Sequence, residues 1–342
     1  VNALLPVQAR SLSIGYLGVP LPGAVQAERD TPKSFRSLTL ASAVRISWRK
    51  MADGRRRIWH VRRNHEMLLA LVLRDLMRLP VRLVFTSAAI RRHSFLPRWM
   101  IGRMDAVIAT TAAAGELVPN VSAVVGHGVS TSQFTPPISR SEAWKALGLP
   151  GEYGVGIFGR VREEKGVHLF VRAMLKLLPT IPGATAIIGG LVQPEDEAFV
   201  TELRKEIEIA GMSSRFFWIG LVDPQDIVRW YQGMRLVVAC PVYEGYGLTP
   251  LEAMACGCPV VASRTGAFDI MIESGVCGEL VPVNDVSALA VAIHEMLQHP
   301  DEAQAMGFRA RERVQAKFSI EAEARGIEAV YRDLWASEGG SE

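Results

Sequence analysis

Cysteine is scarce and forms no pattern. The four in 342 residues, Cys240, Cys256, Cys258 and Cys277, all fall in the C-terminal half, inside apolar runs. None makes a C-x-x-C pair, which argues against a zinc ribbon or a disulfide framework and predicts reduced, buried thiols. Also missing is any run of about eighteen uncharged apolar residues, so no segment is expected to cross a membrane. No signal peptide, internal repeat or low-complexity tract is visible. Acidic residues are short at one end only. Residues 1–110 hold 19 Lys/Arg against 6 Asp/Glu, while the remainder holds 19 against 29, an imbalance hidden by the net charge of +3. The basic half is expected to meet something anionic: nucleic acid, an anionic membrane surface or an acidic glycolipid. A solvated basic surface with no partner is the alternative.

What is present suits a soluble α/β protein of one large or two ordinary domains, with 49% hydrophobic and 21% charged residues. In the first half, SIGYLGV, RRIWHV, VRLVFTS, DAVIATT and SAVVGHGV read as strands and NHEMLLALVLRDLMRL as a helix. Residues 135–153, TPPISRSEAWKALGLPGEY, are rich in Pro, Gly and Ser and read as an interdomain connection. The second half alternates more cleanly. GVGIFG, ATAIIGG, RFFWIG, RLVVAC, PVVAS and GELVPV are the strands, and helices begin near Val167, Glu195, Pro224, Pro250 and Phe268. Such alternation implies parallel sheets covered on both faces, with a ligand crevice at the carboxyl ends of the strands. Three helices close the chain. At the start, VNALLPVQARSL reads as an amphipathic helix, so the strand and turn that usually open such a domain are expected upstream of Val1.

GVGIFGRVREEKG contains a literal G-x-G-x-x-G at Gly154, Gly156 and Gly159. A dinucleotide fingerprint needs these glycines in the turn after a strand and an acidic residue about twenty further on. Here they lie inside the strand, and residues 171–194 contain no carboxylate. A nicotinamide site is therefore rejected. Arg160 and Lys165, leaving the strand end, instead suit a diphosphate whose charge grows as a bond to phosphate oxygen breaks.

EGYGLTPLEAMACGCPVVAS, residues 244–263, places Glu244 and Glu252 on either side of a tight turn. Thr249-Pro250-Leu251-Glu252 has the form of a capping box, with Thr249 as N-cap and Glu252 at N3. Amides of Gly247, Leu248 and Thr249 at a helix start suit phosphate, and Gly245 and Gly247 allow close backbone approach. Glu252 can accept from ribose hydroxyls, and Glu244 can face a sugar beyond the diphosphate. Carboxylates at both ends with amides between them match a nucleotide sugar.

These motifs resemble the retaining, two-domain glycosyltransferases of the family 4 type. Its E-x7-E signature matches Glu244 and Glu252, and its G-R-x-x-x-x-K-G element matches Gly159, Arg160, Lys165 and Gly166. EAMACGCPVVASRTGAFDIMIESGVCGELVPVNDVSAL resembles its E-A-M-A-x-G-x-P-V-V element. VVGHGVSTSQF resembles its P-N-G-V-D-x-x-x-F junction, with Gly128, Val129 and Phe134 retained and His127 and Ser130 departing. The resemblance implies two facing Rossmann-like domains (GT-B): residues 1–135 for the acceptor, a linker over 136–153, residues 154–318 for the donor, and a last helix, 319–342, crossing back. It implies catalytic roles for Glu244, Arg160 and Lys165. Donor binding would fall to Glu252 and to Gly245, Tyr246, Gly247, Leu248 and Thr249, with the base near Leu221 and Val222. No metal or other cofactor is implied, and no D-x-D motif is present. Where many members carry a histidine beside the sugar, this chain has Phe85, and His93 is the candidate substitute.

IWHVRRNHEM and LVFTSAAIRRHSFLPRWMIGRMDAVIAT resemble the first domain of lipopolysaccharide-core mannosyltransferases. That implies GDP-mannose as donor and an anionic glycolipid acceptor met by Arg62, Arg63, Arg91, Arg92 and His93. Arg45, Arg49, Lys50, Arg55, Arg56 and Arg57 would then hold the protein at the inner face of the cytoplasmic membrane, with no nucleic-acid partner. A non-catalytic sugar-nucleotide or glycan-binding module is the alternative function.

Overall fold

The computed structural model describes residues 2–88 and 90–338. The chain divides into two compact units, one of residues 1–128 with 320–342, the other of residues 129–319. Residues 136–153, expected to be a linker, belong to the second unit. There the helix Arg140–Ala146 buries Trp144, whose indole N–H donates to Gly151 O at 3.0 Å.

The first unit opens with the helix Leu4–Gln8, as the sequence suggests. Two short parallel strands follow, β1 (Ile14–Tyr16) and β2 (Phe35–Ser37). The main sheet has four parallel strands in the order β3-β4-β5-β6: Arg57–Val61, Val81–Ser87, Ala106–Ala109 and Val121–Val124. Alternate side chains go to opposite faces. Leu83, Phe85 and Val107 meet Met67, Ala70, Met100 and Ile101 from the helices Asn64–Leu71 and Phe95–Gly102. Val84, Ala106 and Ile108 meet Leu4, Ile320, Ala324 and Ile327, from the first and last helices. His60 fastens that last helix, Ile320–Ala336, to the sheet: its Nδ1 lies 2.5 Å from Tyr331 Oη and its Nε2 2.7 Å from Thr86 Oγ1. Burial, with the charge of Arg62, holds His60 well below the usual imidazole range. A second fastening joins Glu323 to the strand exit, where it accepts from Gly128 N–H at 2.9 Å and lies 3.0 Å from His127 Nδ1.

The segment read from sequence as one helix over 64–79 is interrupted. After Leu71 the backbone widens over Val72–Leu76, where Met77 N–H donates five residues back to Val72 O.

The second unit is a six-stranded parallel sheet in the order β12-β11-β10-β7-β8-β9. The strands are β7 (Tyr153–Phe158), β8 (Ala184–Gly189), β9 (Phe216–Gly220), β10 (Met234–Ala239), β11 (Val260–Ser263) and β12 (Glu279–Val281). They form where the sequence is almost continuously apolar, because helices cover both faces. Gly154 and Gly156 lie inside β7, and a Cβ on Gly154 would stand 2.5 Å from the Trp144 ring. These glycines make room for packing, in keeping with the rejection of a dinucleotide fingerprint. The four cysteines are free and buried, and burial pushes the thiols of Cys240 and Cys258 up to about 12 and about 11.

Strand order reverses between β7 and β10. The chain winds outward from β7 to β8 and β9 on one side, and from β10 to β11 and β12 on the other. Loops leaving the carboxyl ends of β7 and β10 therefore diverge and leave a crevice, the place where sheets of this kind hold ligands.

Candidate functional site

The crevice is a cleft of about 150 Å³ lined by Phe158, Arg160, Lys165, Glu244, Gly247 and Thr249, among others. Four residues singled out from two separate stretches of sequence, Arg160, Lys165, Glu244 and Thr249, thus reach one hollow. Arg160 follows β7 directly. It is exposed and, among the described residues, makes no ion pair or side-chain hydrogen bond.

Lys165 ends the short turn Glu163–Lys165. Gly166 follows with φ +73°, and a Cβ there would lie 1.8 Å from Cys240 O. Only glycine lets this loop cross the end of β10 so closely. Val242 N–H donates to Glu164 O at 2.9 Å and ties the two loops together. The result is an ion pair: Lys165 Nζ donates to Glu244 Oε2 at 2.5 Å, while Gly245 N–H donates to Glu244 Oε1 at 3.1 Å. The turn then passes through Gly247, at φ +78°, where a Cβ would stand 2.6 Å from the Phe268 ring. Tyr246 turns its side chain into the core and can offer a ligand only its backbone. Leu248 is partly exposed beside it.

The expected capping box is not formed. The helix begins at Thr249 itself, after Leu248, and no side chain caps it. Thr249 Oγ1 turns to Phe158 O at 3.4 Å. Glu252 accepts a hydrogen bond from Tyr231 Oη at 2.8 Å instead of returning to the helix start. The motif T-P-L-E fits a cap, but a buried tyrosine from another helix supplies a better donor. Burial raises the Glu252 carboxyl pKa, with the Tyr231 hydrogen bond acting the other way. Burial and the Glu252 charge push the Tyr231 hydroxyl well above its usual range.

Tyr231 is the residue the sequence reading missed. It lies on the helix Ile227–Gly233, its ring centroid 5.1 Å from that of Phe158 and 6.1 Å from that of Phe134. In sequence it sits in an ordinary apolar stretch, and nothing there links it to Glu252. Leu221 and Val222, expected near a base, follow β9 at the same carboxyl edge. They are not among the residues lining the cleft, and Leu221 is 71% exposed.

In the first unit, Arg62 and Arg63 follow β3, while Arg91, Arg92 and His93 lie in the loop after β4. The two groups therefore share the carboxyl edge of one sheet. Glu66 Oε2 accepts from the backbone N–H groups of Arg62 and Arg63 at 2.7 and 3.1 Å, and Arg63 Nε lies 4.0 Å from Glu66 Oε1, leaving the Arg62 guanidinium outside that contact. Phe85, at the position where a histidine would fall, is a core residue facing the helices. The candidate substitute, His93, has its Nε2 covered and, among the described residues, without a hydrogen-bond partner. Burial and neighbouring Arg91 hold its pKa below the usual range. Among the described residues, no group of three or more His, Cys, Asp or Glu could hold a metal ion, and no helix is long and apolar enough to cross a membrane.

Residues 140–313 match the family described as Glycosyl transferases group 1. Over 333 residues, 97% of this chain and 91% of the relative, the sequence is 44% identical to the lipopolysaccharide core biosynthesis mannosyltransferase LpcC of Rhizobium leguminosarum bv. viciae. Among solved structures, the C-terminal domain of the glycosyl transferase group 1 family protein LpcC from Francisella tularensis is 32% identical. That match has a TM-score of 0.55 and covers 56% of this chain and 99% of that one. Anabaena HepE in complex with UDP superposes with a TM-score of 0.79 over 97% of this chain and 95% of that one. At 20% identity, this last likeness speaks to the fold alone, that of the GT-B glycosyltransferases.

Proposed function

This chain belongs to the group 1 glycosyl transferases, and on that premise we propose that it transfers a mannosyl residue from GDP-mannose to a lipopolysaccharide-core acceptor, with retention and without a metal. The observation that carries the donor half is the convergence of Arg160, Lys165 and Glu244 on one cleft at the point where strand order reverses. A diphosphate in that cleft meets a guanidinium and an ammonium, which gain interaction energy as the leaving group takes on charge. Glu244, beside Lys165, faces the sugar. Glu252, oriented by Tyr231, receives the ribose hydroxyls. The acceptor hydroxyl forms the new bond to the anomeric carbon as the bond to phosphate oxygen breaks, on the same face. The departing phosphate oxygen takes the hydroxyl proton, so charge and atoms balance without an added base.

The acceptor half is supported by the relative named for lipopolysaccharide core biosynthesis and by the arginines at the carboxyl edge of the first unit's sheet. Guanidinium groups suit a carboxylate- or phosphate-bearing sugar. A lipopolysaccharide-core acceptor is carried on lipid, and on this proposal the enzyme meets it at the cytoplasmic face of a membrane. The test is release of GDP from GDP-mannose by purified protein, with and without a truncated core glycolipid. Release that depends on acceptor and is lost in Lys165→Ala and Glu244→Ala supports the proposal. Activity unchanged in those variants ends it, and calorimetry against GDP and UDP decides the base.

A further inference from the structure

Two helices on one face of the first unit's sheet, Asn64–Leu71 with its continuation to Leu76 and Phe95–Gly102, are apolar on both sides. Met67, Ala70, Met100 and Ile101 point inward to the core. Yet Leu68, Val72 and Leu76, spaced four apart, are 50%, 41% and 77% exposed. On the neighbouring helix, Phe95, Leu96 and Trp99 are 85%, 55% and 46% exposed. Both helices press onto the same sheet face, so their outer stripes look out on the same side. A helix apolar all round is normally covered on all sides. An exposed apolar area of this extent, rimmed by charge, marks an interaction site.

The rim identifies the partner. Residues 62–103 hold nine arginines against two acidic residues, Glu66 and Asp75. Asp75 is taken by Arg74 and Arg103. Arg78, Arg91, Arg92 and Arg98 are exposed and have no ion-pair partner among the described residues. Aliphatic ridges flanked by free guanidinium groups complement acyl chains and anionic headgroups together. A second copy of the same face would bring like charges together, and leucines offer nothing to a phosphodiester backbone.

We propose that the outer face of Asn64–Leu76 and Phe95–Gly102 seats this protein on an anionic lipid bilayer. The inference rests on the reading of a lipid-borne acceptor and moves the membrane contact away from Arg45, Arg49, Lys50 and Arg55–Arg57, where the sequence alone put it. The helices follow the carboxyl ends of β3 and β4, the first beginning at Asn64 after Val61 and the second at Phe95 after the loop that leaves Ser87. Seating them on lipid brings that edge, with Arg62, Arg63, Arg91 and Arg92, to the headgroup layer where a glycolipid presents its sugars.

Cosedimentation of the full chain with vesicles tests this. Binding is expected to phosphatidylcholine vesicles containing phosphatidylglycerol, weak or absent with phosphatidylcholine alone, and falling as salt is raised. The triple variant Leu68→Ser, Leu76→Ser, Phe95→Ser should lower the partition coefficient at least roughly tenfold. Arg78→Gln with Arg98→Gln should lower it about fivefold per arginine. GDP affinity by calorimetry should not change in either variant. Equal binding to both vesicle types, or a triple variant that sediments as wild type, overturns the proposal. So does a wild-type dimer that the triple variant converts to monomer, since a second copy would then own the face. Vesicle binding without any nucleotide-sugar binding would overturn the donor reading and leave this one standing.

Discussion

Lys165 Nζ lies 2.5 Å from Glu244 Oε2, so one of the two cations in the cleft is already neutralised by the carboxylate at the head of the E-x7-E signature. Both side chains are mostly buried, at 24% and 17% exposure, which keeps the pair from being an ordinary screened surface contact. An incoming diphosphate must therefore share Lys165 with Glu244, and only Arg160 is unengaged.

Removing the negative charge should separate binding from turnover. Glu244→Gln leaves two uncompensated cations in the cleft and should bind GDP about fivefold tighter, roughly 1 kcal/mol of attraction at close range. Transfer should nonetheless fall about 10²–10³-fold, because the group facing the sugar has lost its charge. Calorimetry and steady-state kinetics on the same preparation check both. Weaker GDP binding in this variant would mean that Glu244 does not compete with the diphosphate.

Arg160 makes the opposite prediction for stability. It is exposed and bonds to nothing among the described residues, so Arg160→Ala should leave the thermal midpoint unchanged. The value of kcat/KM should fall about 10²-fold, with Arg160→Lys between the two because an ammonium cannot make a bidentate contact to phosphate. A loss of activity matched by a loss of stability would assign Arg160 a structural role instead.

The donor unit was largely legible in the sequence, and the reason is physical. Parallel strands buried on both faces, such as Val260–Ser263, are apolar along their whole length and stand out between helices. Arg160 and Glu244 could be read because each follows such a strand closely. The pairing of Glu244 with Lys165 could not. The Lys165–Glu244 pair depends on two loops crossing at Gly166, a distance no spacing encodes. Glu252 satisfied a capping pattern on paper, and only the fold brings Tyr231 within reach of it. The acceptor unit was harder. The helical period over residues 64–79 predicts one helix, but Val72–Leu76 widens, and the outward apolar stripe emerges only once the inward one is identified.

Glu252 gives a pH signature. Burial raises its pKa in the folded protein above the ordinary carboxyl value. Its contribution to stability is therefore full below the unfolded pKa of about 4.3 and is lost as pH rises through the folded value. Glu252→Gln keeps an acceptor for Tyr231 and carries no charge. Its thermal midpoint should match wild type near pH 4 and exceed it at pH 7. GDP binding should weaken about tenfold, since a carboxylate accepts hydroxyl hydrogen bonds more strongly than an amide. A variant less stable than wild type at pH 7 would show that the charged form is needed by the fold.

Glu323 should behave with the opposite sign. Burial alone would raise its pKa, but the hydrogen bond and charge of His127, with the Gly128 N–H, outweigh burial and lower it. Its contribution is therefore present above the unfolded carboxyl pKa and is lost as pH falls through the folded value. Glu323→Gln can still accept from one of the two donors but loses the charge that strengthens both bonds. It should cost about 2 kcal/mol at pH 7, a drop of about 4 °C in thermal midpoint. The gap to wild type should begin to close as pH falls below the unfolded carboxyl pKa and vanish below the lowered folded value, where both side chains are neutral. Thermal melts of the two proteins across that range check the sign, and a gap that widens toward acid would mean that the bonds to His127 and Gly128 do not favour the ionised carboxylate.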